Sequence, residues 1–298
     1  MSRNETGEIA VLLLLIWIFP AVVNGQTAED LTKVKMQNAF FAMDTGTKDA
    51  NHATAKAQAE MLKELGYAGI GYGGFDGISE MLRELDACGL RMFAVYFGAE
   101  VNTDGYTYDP KMKEGIQLLK GRDALLWVMI TSKTFAPSSP DGDEGAVKML
   151  REIADLAEPA GLRVALYPHT GCWLERVDDA VRLAKKVERK NVGATFNLCH
   201  WLNAEKGRNV KAVMELAMPY LFVVTINGAD TEGGWDRLIQ TLDRGSFDVG
   251  GFLATLNRLG YKGPIGLQGY GIKGDVHENL KRSMEAWRRL SKNREQRK

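Results

Sequence analysis

The sequence predicts a single-domain α/β protein built as a (β/α)8 TIM barrel. Two observations carry that reading. One junction recurs along the chain, in which a helical stretch runs into a Gly and then into a short apolar strand, and the stretches between junctions are apolar on one face only. Eight strand and helix units of this kind suit the roughly 250 residues that such barrels typically take.

The first strand is the run Ala39 to Met43. Leu65-Gly66-Tyr67 precedes the second, Ala68 to Ile70, and Cys88-Gly89-Leu90 precedes the third, Met92 to Tyr96. Gly121 stands before the fourth, Ala124 to Ile130, and Ala160-Gly161-Leu162 before the fifth, Val164 to Leu166. Asn191, a common substitute for Gly at a helix end, precedes the sixth, Val192 to Phe196. Leu221 to Ile226 is the seventh, and Leu259-Gly260-Tyr261 leads to the eighth, Ile265 to Leu267. Gly suits these places because it adopts the left-handed conformation that ends a helix, and a buried parallel strand reads as an apolar run. Between them, Ile78, Met81, Leu82 and Leu85 recur at helical spacing, as do Val147, Leu150, Ile153, Ala154 and Ala157, and Val177, Ala180, Val181, Ala184 and Val187. A last helix runs from about Asp275 to Leu290 on Leu280, Met284 and Trp287. No G-x-G-x-x-G follows the first strand, and Gly69, Gly71, Gly73 and Gly74 have the wrong spacing, which argues against an open dinucleotide-binding sheet. The loop from Thr131 to Asp143 is read as either a lid or a solvated connection.

Lys plus Arg equals Asp plus Glu at 38 each, so no global basic field exists for nucleic acid or an anionic membrane. A small or neutral partner is expected instead. The apolar run Ile9 to Val23 is short for a membrane span and is broken by Pro20, so residues 1–25 read as a cleaved export signal, with an uncleaved anchor as the alternative. Cleavage after Gly25 would leave residues 26–298 in the periplasm or outside the cell, with no membrane association. Cys88, Cys172 and Cys199 show no C-x-x-C spacing; Cys172 and Cys199 follow adjacent strands and read as either a pair or two buried thiols.

In such a barrel, chemistry is built at the carboxyl ends of the strands. The polar residues closing each run are Asp44, Tyr96 with Glu100, Tyr167 with His169, Asn197 with His200, Asn227 with Asp230, and Gln268 with Tyr270; Trp173 and Trp201 sit beside them. His169 and His200 are candidates for acid and base work near neutral pH, or for two ligands of a relocated metal with Asp44 or Glu100. Tyr96, Tyr167, Trp173, Trp201 and Tyr270 are candidates to stack on a sugar face. For Asp44, Glu100 and Asp230, loop caps are the plainer reading.

Two segments, Val164-Ala165-Leu166-Tyr167-Pro168-His169-Thr170-Gly171 and Val192 to Trp201, resemble the xylose isomerase-like TIM barrels, the superfamily of sugar phosphate isomerases and epimerases that also holds the endonuclease IV type of apurinic nuclease. The resemblance implies a divalent metal held by a Glu after strand five, the Asp of Asp-x-x-His after strand six, a His on strand seven and a Glu on strand eight. Tyr167, Asn197, Thr225 or Asn227, and Gln268 stand at those positions, and only His200 keeps the family residue. Such a set carries no formal negative charge at neutral pH, so no cofactor is expected, and a divalent metal only through a different ligand set. The expectation is a protein acting on a small carbohydrate without the family metal, by proton transfer or by elimination and hydration. His200 and His169 are its acid and base, and Tyr167, Asn197, Trp201, Asn227, Gln268, Tyr270, Tyr96 and Asp44 bind substrate. The alternatives are a non-catalytic sugar-binding barrel and a metal-dependent isomerase with relocated ligands.

Overall fold

The structure, a computed structural model, describes residues 36–292. The segment read as an export signal, its cleavage point and the end of the basic tail lie outside the described residues. Eight parallel strands form a closed barrel: β1 (Phe40–Met43), β2 (Gly69–Gly73), β3 (Arg91–Asn102), β5 (Leu125–Thr131), β6 (Arg163–Leu166), β7 (Val192–Asn197), β8 (Leu221–Ile226) and β9 (Ile265–Leu267). Closure comes from β9 pairing with β1 in the register Phe40 to Ile265 and Ala42 to Leu267. The short β4 (Gly105–Tyr108) folds back antiparallel on the far end of β3, a hairpin that the expected third strand did not include.

The helices of the outer ring are α1 (Ala55–Leu65), α2 (Ile78–Cys88), α3 (Met112–Leu119), α4 (Asp143–Ala157), α5 (Val177–Val187), α7 (Val210–Ala217), α9 (Val249–Arg258) and α10 (Val276–Leu290). Two short helices, α6 (Leu198–Ala204) and α8 (Trp235–Leu238), sit in the connections after β7 and β8. Gly66, Gly89, Gly121, Gly161 and Gly260 all have the positive φ expected of them. Asn191 does not. Glu188, at φ 54°, turns the chain at the end of α5, and Asn191 instead donates its side-chain amide to the carbonyls of Ala154 and Leu162.

Two apolar regions hold the fold together. The larger lies between barrel and helices, where Phe40 stacks on Trp287 of α10 at 4.3 Å. The smaller fills the barrel with Phe41, Met43, Phe93, Leu125, Trp127, Ala165, Tyr167 and Val223. Phe41 stacks on Phe93 at 4.8 Å and Trp127 meets Tyr167 at 4.5 Å with the rings tilted by 34°, so the barrel is plugged by aromatic rings below its carboxyl end. The glycines of β2 make room for this plug. A Cβ at Gly71 would come within 2.7 Å of Met43 Sδ, and one at Gly73 within 2.6 Å of the Tyr96 hydroxyl.

Candidate active site

A cavity of about 540 Å3 opens at the carboxyl ends of the strands, lined by Met43, Thr45, Tyr96, Met129, Tyr167, His169, Thr170, His200, Trp235, Ile239, Gln268 and Tyr270. No Lys, Arg, Asp or Glu is among them. The walls are aromatic and apolar, and the polar groups are neutral donors and acceptors.

His169 follows β6 and His200 is the third residue of α6, and their rings meet with centroids 3.8 Å apart at 41°. Thr170 touches both, and Cys172 Sγ lies 3.6 Å from His169 Nδ1 as well. His169 Nδ1 lies 3.0 Å from the Thr170 carbonyl, which only accepts, so Nδ1 carries the proton. The Thr170 hydroxyl donates to the His200 carbonyl at 3.3 Å, which leaves its oxygen to accept from His200 Nδ1 at 3.4 Å. In both rings Nε2 is then the unprotonated nitrogen. Burial holds His169 below the ordinary imidazole range, and burial followed by the facing His169 holds His200 well below it. At neutral pH the pair is uncharged, and a first proton taken up opposes a second.

Tyr167 closes the floor. Its oxygen accepts from Asn197 Nδ2 at 3.0 Å, and among the described residues no acceptor takes its own proton. Burial raises its phenol well above the usual range, against the amide donors of Asn197 and Gln268. The carbonyl of Asn197 accepts the Cys199 thiol at 3.0 Å, and that of Gln268 accepts Thr45 Oγ1 at 2.8 Å and the backbone amides of Gly269 and Tyr270 at 3.0 and 3.1 Å. Tyr167 O–H and the second hydrogen of Gln268 Nε2 are left as neutral donors at the cavity.

Asp44 reaches the cavity only through Tyr96, whose hydroxyl donates to Asp44 Oδ1 at 2.5 Å while Gly73 N donates to Oδ2 at 2.8 Å. Burial raises the Asp44 carboxyl above its ordinary value, and those two donors oppose the rise.

Several expected residues lie elsewhere. Trp201 is buried against Phe196 and Phe247, because one step along α6 turns it about 100° away from His200. Trp173 is a core residue whose indole donates to the Ser139 carbonyl, and none of residues 131–143 lines the cavity. Asn227 is turned into the loop after β8, donating to the carbonyls of Gly228 and Leu238 at 2.8 and 2.7 Å. Glu100 pairs with Lys133 and accepts from Asn102; Asp230 pairs with Arg237 and accepts the Ser246 amide. Cys172 and Cys199 are unpaired thiols that burial pushes up to about 11 and about 12. Sequence reasoning missed Thr45, Thr170 and Trp235. An indole in the polar stretch Thr231-Glu232-Gly233-Gly234-Trp235-Asp236 was the available signal for the last.

The family model for the xylose isomerase-like TIM barrel matches residues 59–290. The chain belongs to that family. Inosose isomerase of Bacillus subtilis (strain 168) is 25% identical over 132 residues, covering 42% of this chain and 46% of its own length. The chain thus spans less than half the length of the curated relatives it matches. The barrel superposes on D-allulose 3-epimerase from Methylomonas sp. in complex with D-allulose with a TM-score of 0.68 at 16% identity, covering 87% of this chain and 99% of that one. It superposes on the IOLI protein with a bound zinc atom with a TM-score of 0.64 at 16% identity, covering 87% and 100%.

The residues at the family's metal positions do not fit a hard divalent cation. The carbonyls of Asn197 and Gln268 are committed to donors, Asn227 faces away, and Thr225 offers only a neutral hydroxyl that has no partner among the described residues. Among the described residues no three His, Cys, Asp or Glu are grouped to hold a metal ion.

Proposed function

We propose that this xylose isomerase-like barrel acts on an uncharged small carbohydrate by moving a proton next to a keto group, without the family's metal. The observation that carries the reading is the His169 and His200 pair, two neutral rings whose Nε2 atoms have no partner among the described residues, on a cavity without formal charge. An Nε2 takes the proton from the carbon beside the carbonyl, and Tyr167 O–H and Gln268 Nε2 donate to the oxygen where negative charge gathers. Returning the proton to the other carbon gives isomerisation or epimerisation. Loss of a hydroxide from the next carbon as water gives elimination, and the reverse is hydration. On the apolar run Ile9 to Val23 we also propose that the protein acts outside the cytoplasm after removal of residues 1–25, which N-terminal sequencing of material from an expressing host tests.

The direct test is hydrogen exchange into substrate. Protein treated with EDTA, with its metal content measured by elemental mass spectrometry, is incubated in deuterated buffer with D-fructose or D-allulose, and deuterium at the carbons beside the carbonyl is read by NMR. Metal-free protein is expected to exchange, and His200→Asn and His169→Asn to slow exchange by about 100-fold or more. Exchange that appears only after manganese, cobalt or zinc is restored would sink the metal-free reading. Sugar binding without any exchange identifies a non-catalytic sugar-binding barrel instead.

A further inference from the structure

Among the described residues three large hydrophobic side chains are exposed, and two of them, Trp235 at 44% and Tyr270 at 64%, line this one cavity. The third, Leu216, lies on α7. Leaving an indole half in water forgoes roughly 25 cal/mol for each Å2 not buried, so a pair of such rings at one mouth stands out from the scattered apolar surface of any protein. We infer that Trp235 and Tyr270 form a subsite for a second, uncharged sugar ring, so that a neutral glycoside is bound in preference to a free monosaccharide. This rests on the carbohydrate reading above and extends it outward from the two histidines.

Trp235 is held in place. It opens α8 and meets the edge of His200 with ring centroids 5.5 Å apart at 71°. Asn227 ties the loop shut by donating to Leu238 O, and an isolated bridge pairs Gly228 with Gln240, with backbone bonds of 3.1 and 2.7 Å. Asp230 fastens the same loop by pairing with Arg237 and accepting the Ser246 amide at 2.9 Å and Gln240 Nε2 at 3.3 Å. Ile239 beside them is buried and lines the cavity. An exposed ring on a loop clamped this way is ordered before a ligand arrives, which lowers the entropy lost on stacking. Tyr270 stands across the β8–β9 boundary, its backbone amide fixed on Gln268 Oε1. Asn227 and Asp230 are therefore positioning residues for the platform and do not touch the reacting sugar.

The chemistry of the ring follows from the lining. A pyranose presents C–H faces that stack on indole and phenol, with hydroxyls left to water at the open rim. No Lys or Arg lines the cavity, so a phosphate brought there would be desolvated without a partner. At about 540 Å3 the space lies within the ~300–1,000 Å3 of pockets that enclose drug-sized ligands, more than a single ring fills.

The test is titration calorimetry on the full chain with D-fructose, D-fructose 6-phosphate and the keto disaccharides lactulose, maltulose and isomaltulose. At least one disaccharide is expected to bind about tenfold tighter than D-fructose, and the phosphate more weakly than D-fructose. Trp235→Ala and, separately, Tyr270→Ala are expected to cut the ratio of disaccharide to monosaccharide affinity below about threefold, whereas Leu216→Ala leaves it intact. Quenching of wild-type indole fluorescence by acrylamide, reduced when the disaccharide is bound, gives a readout that needs no variant. D-fructose binding with no disaccharide margin overturns the subsite and leaves the carbohydrate reading standing, while no binding of any sugar overturns both. A Trp235→Ala change that alters the sedimentation of the protein and not the affinity ratio would make the rings a contact between copies, and also overturns the subsite.

Discussion

Thr170 sets the protonation pattern of the whole site, since its carbonyl takes the Nδ1 proton of His169 and its hydroxyl oxygen that of His200. Thr170→Val removes the hydroxyl and keeps the carbonyl and the shape, so it separates the two rings. At pH 7.5, imidazole 15N spectra of the wild type are expected to show both histidines with protonated Nδ1. In the variant His169 keeps that signature and His200 becomes a mixture of tautomers, at a stability loss of about 1 kcal/mol. An unchanged His200 spectrum would show that something else orients the ring. No sequence pattern pointed to Thr170, because its role exists only once the loop after β6 and the helix after β7 bring the two imidazole rings together. Tyr167, His169, His200, Gln268 and Tyr270 were legible as cavity residues because each closes a strand at the open end of the barrel. Asn227 closes a strand in the same way and still faces elsewhere, captured by a carbonyl that lies 11 residues further along the chain.

The elements were legible wherever one residue type carries the local conformation. Gly at five helix ends and one-sided apolar spacing located nearly all of the barrel, whereas the Asn191 assignment failed because Glu188 pays the left-handed cost three residues earlier. The β3–β4 hairpin escaped because its strands continue past the apolar run into polar residues such as Glu100 and Asn102. Between α4 and α5 the chain stores a charge cluster that periodicity did not reveal. The carboxylates of Asp143 and Asp179 are 6% and 4% exposed, and Arg182 bridges them at 3.0 and 2.5 Å, with Lys186 on Asp143 at 2.7 Å. Removing the bridge leaves buried charge unpaired, which costs more than the pair itself contributes. Arg182→Ala is expected to destabilise by about 3 kcal/mol, the low end for such a break because Lys186 remains and Arg182 is partly solvated. Joining Arg182→Met to Asp143→Asn and Asp179→Asn should recover most of that loss. Urea unfolding of both variants decides it, and equal losses in the two would show that packing, not charge, holds the helices together.

Across the whole molecule equal numbers of acidic and basic residues leave no net field, so the response to pH is set by individual buried groups. His169 and His200 are held below the imidazole value of 6.5 in the folded chain, so as pH drops through that value the unfolded chain takes up protons that the folded chain refuses. Stability must therefore fall from about pH 7 downward, by as much as about 1.4 kcal/mol per pH unit for each ring. Asp44 and Glu205 act with the opposite sign. Burial raises both carboxyls, so the folded state keeps their protons longer and gains on the unfolded state as pH falls towards their ordinary values of 3.8 and 4.5. Paired carboxylates such as Asp86 on Arg122, held below the usual value, lose their contribution only at still lower pH. The window from pH 7.5 to 5.5 thus belongs chiefly to the two histidines of the cavity. Urea midpoints of the wild type should decline across it, and those of the His169→Gln and His200→Gln double variant should stay nearly level, whatever its starting stability. A wild-type midpoint that does not move would mean that the rings accept protons in the folded cavity, and a slope that persists in the double variant would place the titration elsewhere in the molecule.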